Sequence, residues 1–155
     1  KVIERYEGPD SAHDAGGLLF VGSTLVWTVA GGLRMDAGPR VQEALLDGRP
    51  RLSALRETTG GLVAGDFEGK TVLWLGVDGA ARTSEGPLAG FVYDVMTCGD
   101  RVGCVLVRPE PSALSPATLW LGGQHTPLDR VPTAACLTAT HAVLLFEEEL
   151  VSIPL

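Results

Sequence analysis

The sequence predicts an all-β fold of repeated four-stranded antiparallel units, and three observations carry that prediction. All three tryptophans, Trp27, Trp74 and Trp120, recur 47 and then 46 residues apart. Each closes a short apolar run behind a threonine: Thr24-Leu25-Val26-Trp27, Thr71-Val72-Leu73-Trp74 and Thr118-Leu119-Trp120. The 20 glycines and 10 prolines punctuate apolar runs, the distribution expected of frequent turns between short strands. A period of roughly 40 to 50 residues built from short strands is the signature of a β-propeller or a related β-array.

Taken in order, the units share more than the tryptophan. The first runs from Gly16-Gly17-Leu18-Leu19-Phe20-Val21-Gly22 through Thr24–Trp27 and Gly31-Gly32 to Gly38-Pro39. The second begins at Gly60-Gly61-Leu62-Val63-Ala64-Gly65 and turns at Glu68-Gly69. It continues through Thr71–Trp74 and Asp78-Gly79 to Gly86-Pro87. The Asp-Gly pair between two β-rich runs is a strong hairpin signal, because both residues accept positive φ. The third runs from Gly103-Cys104-Val105-Leu106-Val107 through a proline-rich excursion, Arg108–Pro116, to Thr118–Trp120 and Gly122-Gly123. Further apolar segments lie between units, at Ala44-Leu45-Leu46, Leu52–Leu55, Gly90–Met96 and Ala135–Thr138, which makes four strands per unit. On this reading each tryptophan marks the third strand of its unit and packs between neighbouring sheets, one per blade. The approximate units are 7–39, 40–87, 88–131 and 132–155, within one β-repeat domain.

The fourth unit, His141–Phe146 followed by the acidic turn Glu147-Glu148-Glu149 and Leu150–Ile153, stops before an outer strand. The N-terminal strand at residues 1–7, Val2-Ile3-Glu4-Arg5-Tyr6 at its heart, has the alternation to supply it, the way propellers remove exposed sheet edges. About four blades, or part of a larger ring, fit this count. A β-trefoil also suits a three-fold period; the propeller is preferred because strands continue after Cys136 and the N-terminal strand needs a partner.

The run Leu62-Val63-Ala64-Gly65-Asp66-Phe67-Glu68-Gly69-Lys70-Thr71-Val72-Leu73-Trp74 resembles a WD40-type propeller blade. The resemblance covers Gly60 to Pro87, and the remainder only by periodicity. Leu75 stands where the family's Asp follows the Trp, and Gly86-Pro87 replaces its Gly-His. The chain is similar to a divergent member, and the resemblance implies a rigid platform for other proteins.

Composition excludes several functions. A net charge of −7, with Lys70 the only lysine after Lys1, argues against nucleic acid, whose binding needs clustered cations. No apolar stretch is long enough to span a bilayer. The chain begins without Met or an apolar signal core, which reads as a processed or excised piece. The three cysteines, without a CxxC pair, point to reduced thiols, a cytoplasmic setting and no structural zinc. Cys136 sits in an apolar run, where cysteine acts as a small hydrophobe. His13, His125 and His141 have no metal-ligand spacing, so no metal or cofactor is expected. Gly69-Lys70-Thr71 imitates the end of a phosphate loop but leads into a strand, and no G-x-S-x-G elbow is present. Asp66, Glu68, Asp78, Asp94 and Asp100 sit at strand ends, where turn chemistry explains them without catalysis.

The function expected is therefore a non-catalytic protein-interaction module docking partner chains through blade loops, as part of a larger chain or complex. Candidate contact residues are Asp66, Phe67, Glu68, Arg108 and Glu110, loop positions with residue types favoured at interfaces. A carbohydrate-binding lectin using the tryptophans is the alternative, and a hydrolase or lyase using strand-end carboxylates is third.

Overall fold

A computed structural model of the chain describes residues 17–38, 40–108 and 116–155. Within them, fifteen strands form four antiparallel meanders in chain order. Sheet I holds β1 (Leu18–Val21), β2 (Thr24–Val29), β3 (Gly32–Asp36) and β4 (Val41–Leu45). Sheet II holds β5 (Leu52–Thr58), β6 (Gly61–Asp66), β7 (Thr71–Leu75) and β8 (Ala81–Glu85). Sheet III holds β9 (Phe91–Cys98), β10 (Arg101–Val107), β11 (Ala117–Leu121) and β12 (Gln124–Leu128). Sheet IV holds β13 (Ala134–Leu137), β14 (His141–Phe146) and β15 (Glu149–Pro154). This is the propeller-like array of antiparallel blades that the repeat predicts.

The first strands of successive sheets lie side by side: β1 against β5, β5 against β9 and β9 against β13. They form the inner side of the array. Middle strands are the most buried, β6 almost entirely so, whereas the outer strand β8 is exposed along its whole length. A polar last strand per sheet follows, because only its neighbour on one side shields it. The Asp78-Gly79 hairpin forms as read: Gly79 has φ 78°, and the Asp78 carboxylate accepts the Ala80 amide at 3.2 Å.

Three apolar slabs join the sheets. Val26, Leu33 and Met35 of sheet I meet Leu55, Leu62 and Leu75 of sheet II. Val63 and Val72 meet Val92, Val95, Cys104 and Trp120 between sheets II and III. Met96, Val105 and Leu119 meet Leu137, Leu144 and Phe146 between sheets III and IV. Each large aliphatic chain so buried contributes about 1.5–3 kcal/mol. Inner strands carry a second tie. In β5 the register skips Ser53 against β6, and this bulge turns the Ser53 hydroxyl to donate to the Val92 carbonyl of the next sheet at 2.6 Å.

Three expectations change. Trp74 and Trp120 lie on third strands, but Trp27 lies on a second strand, β2. The step from Trp27 to Trp74 crosses five strands and the next step only four, because the long connection 108–116 takes up the length of a strand and its turn. The Gly38-Pro39 break, read as a unit boundary, falls instead between β3 and β4, which pair with each other in sheet I. One tryptophan per blade interface is also not what forms: Trp74 and Trp120 share the slab between sheets II and III, whereas Trp27 faces away from sheet II. The N-terminal strand expected at residues 1–7 lies outside the described residues.

Candidate interaction rim

Antiparallel meanders put alternate turns on opposite rims. One rim carries the β6–β7 turn, the β4–β5 and β8–β9 connections and the end of β10. It therefore gathers Asp66, Phe67, Glu68 and Arg108, which the sequence singled out separately; Glu110 lies outside the described residues. Asp66 ends β6, and its carboxylate accepts the Gly69 amide at 3.1 Å, so its role is to close the turn. That turn holds Lys70 at φ 54° and presents Phe67 toward sheet III.

Phe67 stacks on Phe91 at the start of β9, with centroids 4.9 Å apart. The Arg51 guanidinium lies 5.6 Å from the Phe67 ring and the Lys70 ammonium 4.8 Å from the Phe91 ring, one cation on each aromatic. Such contacts contribute about 0.5–1 kcal/mol each at exposed sites. Glu68 ion-pairs with Arg51 at 3.8 Å, while the Phe67 amide donates to the Arg51 carbonyl at 2.9 Å and fixes the turn against the β4–β5 connection. Arg108 is exposed on the same rim. A cleft of about 350 Å³ between sheets I and II adjoins the cluster, lined by Gly31, Arg49, Arg51 and Glu68. Arg51, Lys70 and Phe91 were not among the sequence candidates. Their signal was available only as a pattern: Arg51 and Phe91 each border the first strand of a sheet.

The other candidates for chemistry do not converge. Asp78 caps its hairpin, and Asp94 ion-pairs with Arg56 at 2.8 Å across sheets II and III. Burial raises the Asp94 carboxyl above its ordinary pKa, against the lowering effect of Arg56 and of the Val95 amide. Cys104 is buried and its thiol is pushed well above the ordinary range, first by burial and then by Glu85 and Asp94, which removes it as a nucleophile. Cys98 pairs with Arg101 and Cys104 with Val95, so the two do not face each other. Cys136 is exposed rather than part of the core, because its face of sheet IV points away from sheet III. Among the described residues no three His, Cys, Asp or Glu side chains are placed to hold a metal ion. No helix among them is long and apolar enough to cross a membrane.

A cavity of about 510 Å³ lies near the β9–β10 turn and is lined by Trp74, Trp120, Asp100, Arg101 and Gln124. Trp120 is only 2% exposed there and Trp74 half-buried. They wall the cavity from within the slab instead of offering an open aromatic platform.

No protein-family model matches the chain, and no curated protein matches it in sequence. Its structure is similar to that of the computationally designed Ika4 protein, with a TM-score of 0.70 at 17% identity, over 97% of this chain and 96% of that one. It also resembles the computationally designed Ika8 protein, with a TM-score of 0.61 at 17% identity over 82% of this chain. BBS1N, solved in complex with ARL6DN, superposes with a TM-score of 0.64 at 11% identity over 84% of this chain. This chain spans nearly all of Ika4 but only 41% of Ika8 and 47% of BBS1N. At such identities the likeness is one of fold.

Proposed function

We propose that this chain is a non-catalytic interaction module, a divergent WD40-like array that docks a partner protein on the rim of sheets II and III. The observation that carries this reading is the Arg51–Phe67–Phe91–Lys70 stack. It combines two phenylalanines with an arginine, residue types enriched at the cores of interfaces, on loops held by two rigid sheets. Arg108 and Glu68 border it, and BBS1N, of similar fold, was solved with a protein partner.

The test compares proteins retained by the immobilised chain with those retained by three variants. Phe67→Ala and Arg108→Glu should each weaken retention, about 30-fold for a hot spot worth 2 kcal/mol. Arg82→Ala, on exposed β8, should leave it unchanged. Equal retention by all four chains would place the contact elsewhere. The carbohydrate reading rests on the Trp74–Trp120 cavity with Asp100 beside it; protection of Trp74 fluorescence by an oligosaccharide would favour it.

A further inference from the structure

Among the described residues, the four sheets follow one another in an arc whose two end faces meet no further sheet. Along the arc each sheet has a front face, toward the next sheet, and a back face. Front and back alternate residue by residue along a strand, so the slab residues identify both. On sheet I the front face carries Leu19, Val26, Leu33 and Met35. Its back face carries two cross-strand rows, Leu18–Trp27–Arg34–Glu43 and Phe20–Leu25–Asp36–Val41. Leu18 is 67% and Phe20 65% exposed there, with Val41 and Leu45 exposed beside them. On sheet IV the back face meets sheet III through Leu137, Ala142 and Leu144. Its front face carries the rows Ala134–Leu145–Leu150 and Cys136–Val143–Ser152. No Asp, Glu, Lys or Arg lies in those rows, although the chain has 31 such residues in all. Leu150 is 70% exposed. Apolar patches of this kind mark contact surfaces.

We propose that a second copy of this chain covers both ends, the front of sheet IV of each copy packing on the back of sheet I of the other. Three observations select this occupant. Every slab inside the arc joins a front face to a back face, and the two free faces are one of each. Trp120, on the back of sheet III, is buried by sheet II, and Trp27, on the back of sheet I, is the half-buried tryptophan that such a junction would cover in the same way. The longer chains on which this one superposes have room for a second arc of the same size. Two arcs give eight sheets, within the range of roughly four to eight that such rings adopt. A front-to-back contact is heterologous, and it closes when the rotation per copy is half a turn.

Sedimentation equilibrium of the 155-residue chain over the micromolar range tests this. The expected mass is twice the 16.3 kDa of one chain. Phe20→Glu and Leu150→Glu, at exposed positions on opposite ends, should each halve that mass while leaving the far-ultraviolet circular dichroism unchanged. In the wild type, the reaction of Cys136 with a thiol reagent should slow as concentration rises, because the closed junction buries it. A wild-type mass of one chain at every concentration overturns the proposal, as does an open-ended series of masses. A mass change in only one of the two variants also overturns it, since that is the mark of a face pairing with itself.

Discussion

Gly65 offers the sharpest test of how sheets II and III fit. It lies in β6 with its missing side chain aimed at sheet III. A Cβ there would stand 2.5 Å from Val92 Cγ1, 2.9 Å from Ser53 Oγ and 3.1 Å from Val95 Cγ2. Its backbone is not in the positive-φ region, so alanine brings no conformational strain and the whole cost is overpacking. Val92 and Val95 are fully buried and have no room to retreat. The Ser53 hydroxyl is held by its bond to the Val92 carbonyl. Overpacking of this kind costs about 1–3 kcal/mol, equivalent to a fall in Tm of about 2–10 °C for a chain of this size. Gly60→Ala is the control: nothing lies within 4 Å of its Cβ and its φ is not positive. It should gain about 0.4–1 kcal/mol through the unfolded chain. Thermal and urea unfolding of both variants gives the signs. Val92→Ala removes the closest obstacle, so the double variant should recover about 0.5–3 kcal/mol relative to additivity. A Gly65→Ala chain as stable as the wild type, or strict additivity with Val92→Ala, would refute the close approach of the two sheets at this point.

Two further outcomes follow from the same interface. The Asp94 carboxyl titrates above its ordinary value in the folded chain, so the folded state holds that proton to a higher pH than the unfolded chain does. Its contribution to stability is therefore largest below the ordinary carboxylate range and declines as pH rises through the window just above it. The difference in unfolding free energy between wild type and Asp94→Asn should fall across that window; a rise would mean that the Arg56 pair outweighs desolvation. In a chain retaining only Trp120 (Trp27→Phe, Trp74→Phe), acrylamide should quench weakly, because that ring is sealed in the slab. Strong quenching would instead favour an open aromatic platform and the lectin reading.

How much of this was legible in the sequence differs from one residue to another. Asp78-Gly79 announced its hairpin because the turn requires positive φ, a purely local demand. The Thr–Trp runs announced strands because β-branched and aromatic residues beside Gly turns suit a pleated, half-buried surface. Asp66, Phe67, Glu68 and Arg108 could be placed at strand ends, but not beside Arg51 and Phe91. Those two partners arrive from other strands, and no local pattern encodes which turn meets which crossover.

The sequence by itself determined short antiparallel strands in a repeated array, since turn chemistry and alternation act within a few residues. Only the tertiary structure decided which strand each tryptophan occupies. A period counts residues and not strands, and the 108–116 connection stands in length for a strand that the first interval contains. The tertiary structure also decided that Trp74 and Trp120 share one slab while Trp27 looks outward, because the face a side chain takes depends on strand register. Register is set by neighbouring strands, and at the two ends of the arc the neighbour that would bury Leu18, Phe20 and Leu150 is not among the described residues of the chain.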